Sequence, residues 1–263
     1  MPSETIETDS HTLVTIACLS DNYAFLLRDK ATGDVALIDV PEAAPIASEL
    51  ATRGWTLSQI WLTHHHPDHI QGVDELCVQY PAPLYGAAAD AHRLPALDVA
   101  LNEGDTFMLG ETPVHVIDVS GHTIGHIALY APTAKAAFTA DSLMALGCGR
   151  LFEGTPAQMH ASLSKMAAWP DDTFICSGHE YTASNAKFAL TVDPDNAALQ
   201  HRARDIDTAR AGGKFTVPSL LSLERATNPF LRSDDPALRA AINMTDATDA
   251  EVFTEVRARK DRF

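Results

Sequence analysis

The chain has 263 residues, enough for one large domain or two smaller ones with an ample core. Its net charge of −16 opposes the phosphates of nucleic acid and an anionic membrane face, so neither is expected as a partner. No apolar run approaches the ~20 residues that span a bilayer, and the acidic start MPSETIETDSHTL is unlike a secretory signal.

Short apolar runs between turn residues fill the first two-thirds. LVTIACL, YAFLLRD and DVALIDV read as strands at hairpin spacing, the last two joined across KATGD. PEAAPIASELATRG has helical character with a closing Gly54, QIWLT reads as a strand, and IQGVDELCVQY reads as one helix. APLYGAA, PVHVIDV, HIALYA and KAAFTAD add strands. A capping box, Thr155 to Gln158, opens a helix through MHASLSKMAAW, and TFICSGH reads as the final strand. After Glu180, ASNAKFALTV, NAALQHRARDIDTAR and DPALRAAI are helical in period with no β-rich runs. A second capping box, Thr248 to Glu251, starts a helix with Val252, Phe253 and Val256 on one side. The expected division is therefore α/β, with a sheet-rich domain at 1-179 and a helical domain at 180-263. Cys18, Cys77, Cys148 and Cys176 lie far apart with no CxxC pair, so reduced thiols and a cytoplasmic setting are expected.

The stretch THHHPDHIQG places four histidines and an aspartate within six positions, directly after a strand that reads as buried. Such groups are costly to bury without a common partner, and a divalent metal is the natural one. In an extended segment, residues two apart share a face, so His64 and His66 address one ion while His65 points away. Asp68 and His69, one turn on, address a second. Further donors are expected where strands end: His122 in VIDVSGHTIGH, Asp141 in FTADSL and His179 in FICSGHEY. The count closes with His64, His66 and His122 on one ion, Asp68, His69 and His179 on the other, and Asp141 between them. His11, His92, His115, His160 and His201 read as structural or surface residues, and His65 and His126 as supports.

Together with CLSDNYAFLL, GCGRLFEGT, NPFLR and the terminal VRARKD, these motifs resemble the metallo-β-lactamase superfamily and, within it, the glyoxalase II (hydroxyacylglutathione hydrolase) family. HxHxDH alone marks only the superfamily; GCGRLFEGT and the basic tail carry the narrower likeness. The resemblance implies a metallo-β-lactamase-like αββα sandwich with a C-terminal helical, substrate-binding domain. It implies hydrolysis of glutathione thioesters, chiefly S-D-lactoylglutathione, in methylglyoxal detoxification. The implied cofactor is a pair of divalent ions, zinc first, with iron or manganese also suited to N/O donors. Two such ions sharing a water lower its pKa towards neutrality and supply a hydroxide. Asp68 and Asp141 are the expected catalytic carboxylates. The thiol leaving group, with a pKa of about 8.5, departs as thiolate without a strong acid. Glutathione contacts fall by resemblance on Arg150, Phe152, Tyr181, Arg257 and Lys260. Position 152 is often tyrosine in the family and is Phe152 here, which removes one hydroxyl contact. The chain is expected to act as a monomer on a small-molecule glutathione thioester.

Three other readings compete. A glutathione persulfide dioxygenase of the same superfamily uses one iron and has no need of Asp68, His69 and His179 as a second set. A secreted β-lactamase is disfavoured by the missing signal peptide and by Asp141. A structural or sensor metal protein would favour four ligands, often thiolates, around one ion.

Overall fold

The computed structural model describes residues 3–263. The chain forms two compact units: residues up to Val119 with Ile124–Ala140, and Ser120–Thr123 with Asp141–Phe263.

The first unit begins as an antiparallel run of β1 (Ser3–Glu7), β2 (His11–Cys18), β3 (Asn22–Asp29) and β4 (Val35–Ile38). The helix α1 (Ala43–Arg53) crosses to β5 (Gln59–Trp61), and α2 (Pro67–Ile70) and α3 (Val73–Gln79) lead to β6 (Leu84–Ala87). These strands and β7 (Val99–Leu101) add in parallel, giving a seven-stranded sheet in sequence order. A second, antiparallel layer follows: β8 (Thr106–Leu109), β9 (Thr112–Asp118), β10 (Ile127–Ala131) and β11 (Ala136–Ala140).

The near-continuous apolar runs of β2, β3 and β4 follow from burial on both faces. One face packs Val14, Leu26 and Leu37 against Ile46 and Leu50 of α1 and Val73 and Leu76 of α3. The other meets the second layer, with ring centroids 5.9 Å apart for Phe25–Phe138 and 5.2 Å for Trp61–Phe107. Each side chain buried this fully stabilises the fold by about 1.5–3 kcal/mol. Gly54 closes α1 in the left-handed conformation, φ 64°, as the sequence suggests.

Two sequence expectations change here. IQGVDELCVQY is not one helix. The Gly72 N–H bonds to Val40 O at 2.9 Å, and a Cβ at Gly72 would lie 2.9 Å from Ala43 N. Residues 71 and 72 therefore form a turn pinned to the strand β4 exit, with α2 before it and α3 after it. In addition, β1, β7 and β8 are strands that the apolar pattern does not reveal. They are short, and polar or partly exposed residues alternate through them.

The second unit contains a two-residue ribbon, β12 (Leu143–Met144) and β13 (Gly147–Cys148), then α4 (Pro156–Ala167), β14 (Phe174–Ser177), α5 (Thr182–Val192) and α6 (Ala197–Ala211). After these come β15 (Ser219–Leu220), α7 (Leu221–Thr227), α8 (Pro236–Ala241) and α9 (Asp249–Arg262). Both expected capping boxes form, at Thr155–Gln158 and Thr248–Glu251. The expectation of no strand after Glu180 is corrected by β15, which pairs antiparallel with Phe174 and Ile175. Two residues are too few to carry an alternation.

A buried polar cluster shapes the ribbon. Glu224 accepts from Leu146 N at 2.8 Å and Ser219 Oγ at 2.6 Å, and pairs with the buried Arg202. Asn185 Nδ2 donates to Ala145 O, and Asn228 Nδ2 donates to Met144 O and Gly147 O. The segment between Asp141 and Arg150 is therefore fixed by buried hydrogen bonds rather than by the ribbon's own short ladder.

Candidate metal centre

The first unit brings His64, His66, Asp68 and His69 together at the exit of β5 and along α2. His64 and His69 are fully buried, while Asp68 keeps a partly exposed carboxylate. Asp39, just after β4, organises this half. Its Oδ1 accepts from Thr63 N at 2.9 Å, and its Oδ2 accepts from Thr63 Oγ1 at 2.8 Å and lies 2.8 Å from His69 Nδ1. A carboxylate at this position only accepts, so His69 Nδ1 carries the proton and Nε2 keeps its lone pair. The Thr63 hydroxyl has spent its hydrogen on Asp39, so it accepts from His64 Nδ1, 3.0 Å away. That leaves a lone pair on His64 Nε2 as well. One buried carboxylate thus sets the tautomers of two histidines for ligation.

Asp39, His64 and His69 also qualify by proximity as a metal-holding trio. We assign Asp39 instead as the acceptor behind the two rings, because its oxygens are already taken by three donors.

His64 Nε2 and His66 Nδ1 face one another at 3.2 Å. Two ligand atoms on a four-coordinate ion with bonds of 2.0–2.1 Å stand about 3.3–3.4 Å apart, so this pair has ligand spacing. Asp68 Oδ2 lies 3.9 Å from His69 Nε2 and accepts from Asn22 Nδ2 at 3.0 Å, which orients the carboxylate. His65 turns away and pairs its Nδ1 with the buried Asp90 at 3.1 Å. His126 stacks on His64, with centroids 4.6 Å apart and planes 11° apart.

The second unit brings His122, Asp141 and His179 together, all buried. Asp141 Oδ2 lies 3.4 Å from His122 Nε2 and 3.3 Å from His179 Nε2. One carboxylate oxygen therefore stands at ligand spacing from two imidazole nitrogens, as a bridge between two ions requires. His122 Nδ1 lies 2.7 Å from Arg150 O; a carbonyl only accepts, so the proton is on Nδ1 and the Nε2 lone pair faces Asp141. Gly149 permits this approach, since a Cβ there would meet Asp141 O at 1.9 Å. Nitrogen and oxygen donors without thiolate suit zinc, iron or manganese alike.

The remaining expected residues also lie in this unit. Phe152 is exposed and sets its ring edge-on to His122 at 5.3 Å, with the Arg150 guanidinium 6.0 Å from the Phe152 centroid. Tyr181 stacks on His179 at 4.6 Å. Arg257 is buried on α9, donates to Cys148 O at 3.1 Å, and pairs with Asp261 at 2.8 Å. Lys260 is half-buried one turn further on, its pKa lowered by burial and then by Arg257.

Comparison with known proteins divides the chain at a different place from the two compact units. Residues 20–179 match the metallo-beta-lactamase superfamily, and residues 180–263 match the hydroxyacylglutathione hydrolase C-terminus. The hydroxyacylglutathione hydrolase of Ruegeria pomeroyi is 66% identical over 251 residues, 95% of this chain and 98% of that one. That of Roseobacter denitrificans is 62% identical over the same shares. The chain belongs to the hydroxyacylglutathione hydrolase family.

Membership fixes the fold class expected from the sequence, a metallo-β-lactamase domain with a C-terminal helical domain. Among solved structures, ETHE1 from Myxococcus xanthus has a TM-score of 0.65 at 22% identity, covering 98% of this chain and 90% of that one. The BJP-1 metallo-beta-lactamase of Bradyrhizobium japonicum has a TM-score of 0.56 at 17% identity, covering 91% and 95%. At these identities the likeness is one of fold. In this family member, sequence reasoning passed over Asp39, Asn22 and Asp90. The residues of the histidine motif that they hold lie 24 or more positions away in sequence, and the local signal was polar residues at strand ends and starts, as in LIDV and DNYA.

Proposed function

We propose that the protein hydrolyses glutathione thioesters, chiefly S-D-lactoylglutathione to D-lactate and glutathione, as the thioesterase of methylglyoxal detoxification. The observation that carries this is a resemblance to hydroxyacylglutathione hydrolases over 95% of the chain, with family matches at 20–179, which holds the metal-ligand motifs, and at 180–263, which holds the basic tail. In this reading His64, His66 and His122 hold one divalent ion, Asp68, His69 and His179 hold the other, and Asp141 is shared. Zinc is the first expectation, with iron or manganese compatible.

Two divalent ions held by these residues would supply an acidified water and a Lewis acid for the thioester carbonyl. Asp68, steadied by Asn22, orients the proton of the attacking water. Asp39 keeps His64 and His69 in the ligating tautomer throughout. No side chain needs to act as a strong acid, because a thiolate is a competent leaving group near neutral pH. Arg150, Tyr181, Arg257 and Lys260 hold the peptide and carboxylates of glutathione, while Phe152 offers only its ring. We assign 1-179 as the catalytic domain and 180-263 as the substrate-binding domain. We take the setting as cytoplasmic and the chain as a monomer with no nucleic-acid or membrane partner. Among the described residues no helix is long and apolar enough to cross a membrane.

The test is cleavage of S-D-lactoylglutathione by purified protein, with elemental analysis of the same sample. The expected result is thioesterase activity with two transition-metal ions per chain. Oxygen consumption with glutathione persulfide, and an untouched thioester, would replace this reading with the dioxygenase.

A further inference from the structure

Phe263 exposes a large apolar ring, 61% accessible, with nothing in the proposed chemistry to account for it. Its surroundings give a reason. Lys260 Nζ lies 5.2 Å from the centroid of Phe263 and 5.2 Å from that of Phe188, a buried residue of α5. The two rings meet edge to face, 5.6 Å apart at 65°. Both cation–ring distances lie inside the ~6 Å range of attraction between an ammonium and an aromatic face. Phe188 is itself backed by Phe230 at 6.2 Å, and Phe230 carries the Arg257 guanidinium 5.3 Å from its centroid. Arg257 and Lys260 are therefore seated on one aromatic cluster.

We propose that Phe263 and Phe188 are positioning residues that hold the Lys260 ammonium ready for a carboxylate of the glutathione moiety. The inference rests on the glutathione reading given above. A lysine has four rotatable side-chain bonds, and ordering it when substrate arrives costs binding free energy. Two ring faces restrict it beforehand. They also remove water from part of the ammonium, consistent with its lowered pKa, so its attraction for a carboxylate is less screened. Arg257 lies one turn away and repels the lysine. The ring faces offset that repulsion and leave the two cations side by side. No hydrogen bond or carboxylate pairing is needed for Lys260 in this arrangement, so its ammonium keeps its donors for substrate.

The test separates ring face from apolar bulk. Phe263→Leu keeps apolar contact but removes the aromatic face, while Phe263→Tyr keeps the face. On S-D-lactoylglutathione, F263L should raise KM roughly two- to fivefold with kcat held, the range of an exposed cation–aromatic contact. F263Y should stay within about a third of that change. In a K260A background, F263L should add nothing further to KM. The same pattern should appear in the Kd of S-methylglutathione, an inert thioether, measured by calorimetry. An unchanged KM in F263L, or a rise that persists in K260A, would overturn the positioning role while leaving the glutathione reading intact. An unchanged KM in K260A alone would overturn the glutathione contact of Lys260 itself. Phe188→Leu, at a buried site, serves as a second variant only if its Tm stays within a few degrees of the parent.

Discussion

Asp39→Asn offers the sharpest test of how the histidines are prepared. The residue has φ 56°, a left-handed conformation that asparagine tolerates, so the backbone should not object. The change is electronic. With the amide oxygen kept on Thr63 N, the new Nδ2H₂ replaces Oδ2 and donates where two contacts, from Thr63 Oγ1 and His69 Nδ1, required an acceptor. His69 Nδ1 must then accept, which moves its proton to Nε2. The Thr63 hydroxyl must also accept from the amide and turn its own hydrogen towards His64 Nδ1, which moves that proton to Nε2 as well. Both ligating lone pairs are lost unless the ions restore the tautomers against the amide. Loss of one such partner behind a ligating histidine typically weakens metal binding 10–100-fold, about 1.4–2.7 kcal/mol. Because Asp39 serves two rings, the effect should fall at the upper end or beyond it. The assay is metal retention during graded chelator competition, read by elemental analysis, with circular dichroism as a control for folding. Wild-type retention of both ions by a folded D39N protein would refute the tautomer argument.

Other expectations follow from the same geometry. Asp141→Asn removes a charge from the oxygen flanked by His122 and His179, so metal content and thioester turnover should fall together, the latter by orders of magnitude. One tightly bound metal per active wild-type chain would refute the shared-ligand role. Gly149→Ala forces a methyl against Asp141 O and should cost roughly 1–3 kcal/mol with reduced metal content, and an unchanged Tm would contradict the close approach. Burial holds the His11 imidazole below its ordinary pKa of 6.5, opposed in part by Asp29. The folded state then binds this proton less readily than the unfolded chain, so its stabilisation is full above pH 6.5 and fades as pH falls towards the lower folded value. His11→Gln should flatten the loss of Tm between pH 7 and 5, and an identical slope would exclude this group. Arg257→Ala strips the donor from the Cys148 carbonyl, so it should lower Tm as well as raise KM, whereas Lys260→Ala should raise KM alone. Equal Tm values for the two variants would remove the structural share assigned to Arg257.

What the sequence made legible was chemistry with a short period. HxHxDH sits in one turn and a strand end, and its donors can be assigned by counting. The capping boxes at Thr155 and Thr248 are likewise local, and both form. Strands two to five residues long, such as β1, β7 and β15, are too short and too polar to stand out as apolar runs. The break at Gly72 depends on a backbone bond to Val40, thirty-two positions earlier, and a helix-like pattern on either side conceals it. Asp39 was hidden for the same reason. Its acidity is plain in the sequence, but the histidine and threonine it organises lie 24 to 30 positions away.

The tail shows how one motif can divide its labour. Read as letters, Arg257 and Lys260 are two cations one turn apart on a helix, interchangeable as holders of a carboxylate. In the fold they differ. The Arg257 guanidinium is planar and multidentate, so it can donate to Cys148 O and pair with Asp261 while its face rests on Phe230. That ties α9 to β13, two residues before Arg150. Lys260, a point charge on a flexible stem, makes no such fixed bonds among the described residues and is steadied there by two ring faces. A lysine at 257 would lack the planar, multidentate fork that lets Arg257 meet the carbonyl, the carboxylate and the ring together. The basic island thus joins a cation with a structural share, Arg257, to one left to recognition alone, Lys260. The two carry the same charge on the same helix and both rest on aromatic rings, and the bonds from Arg257 to the Cys148 carbonyl and Asp261 tell them apart.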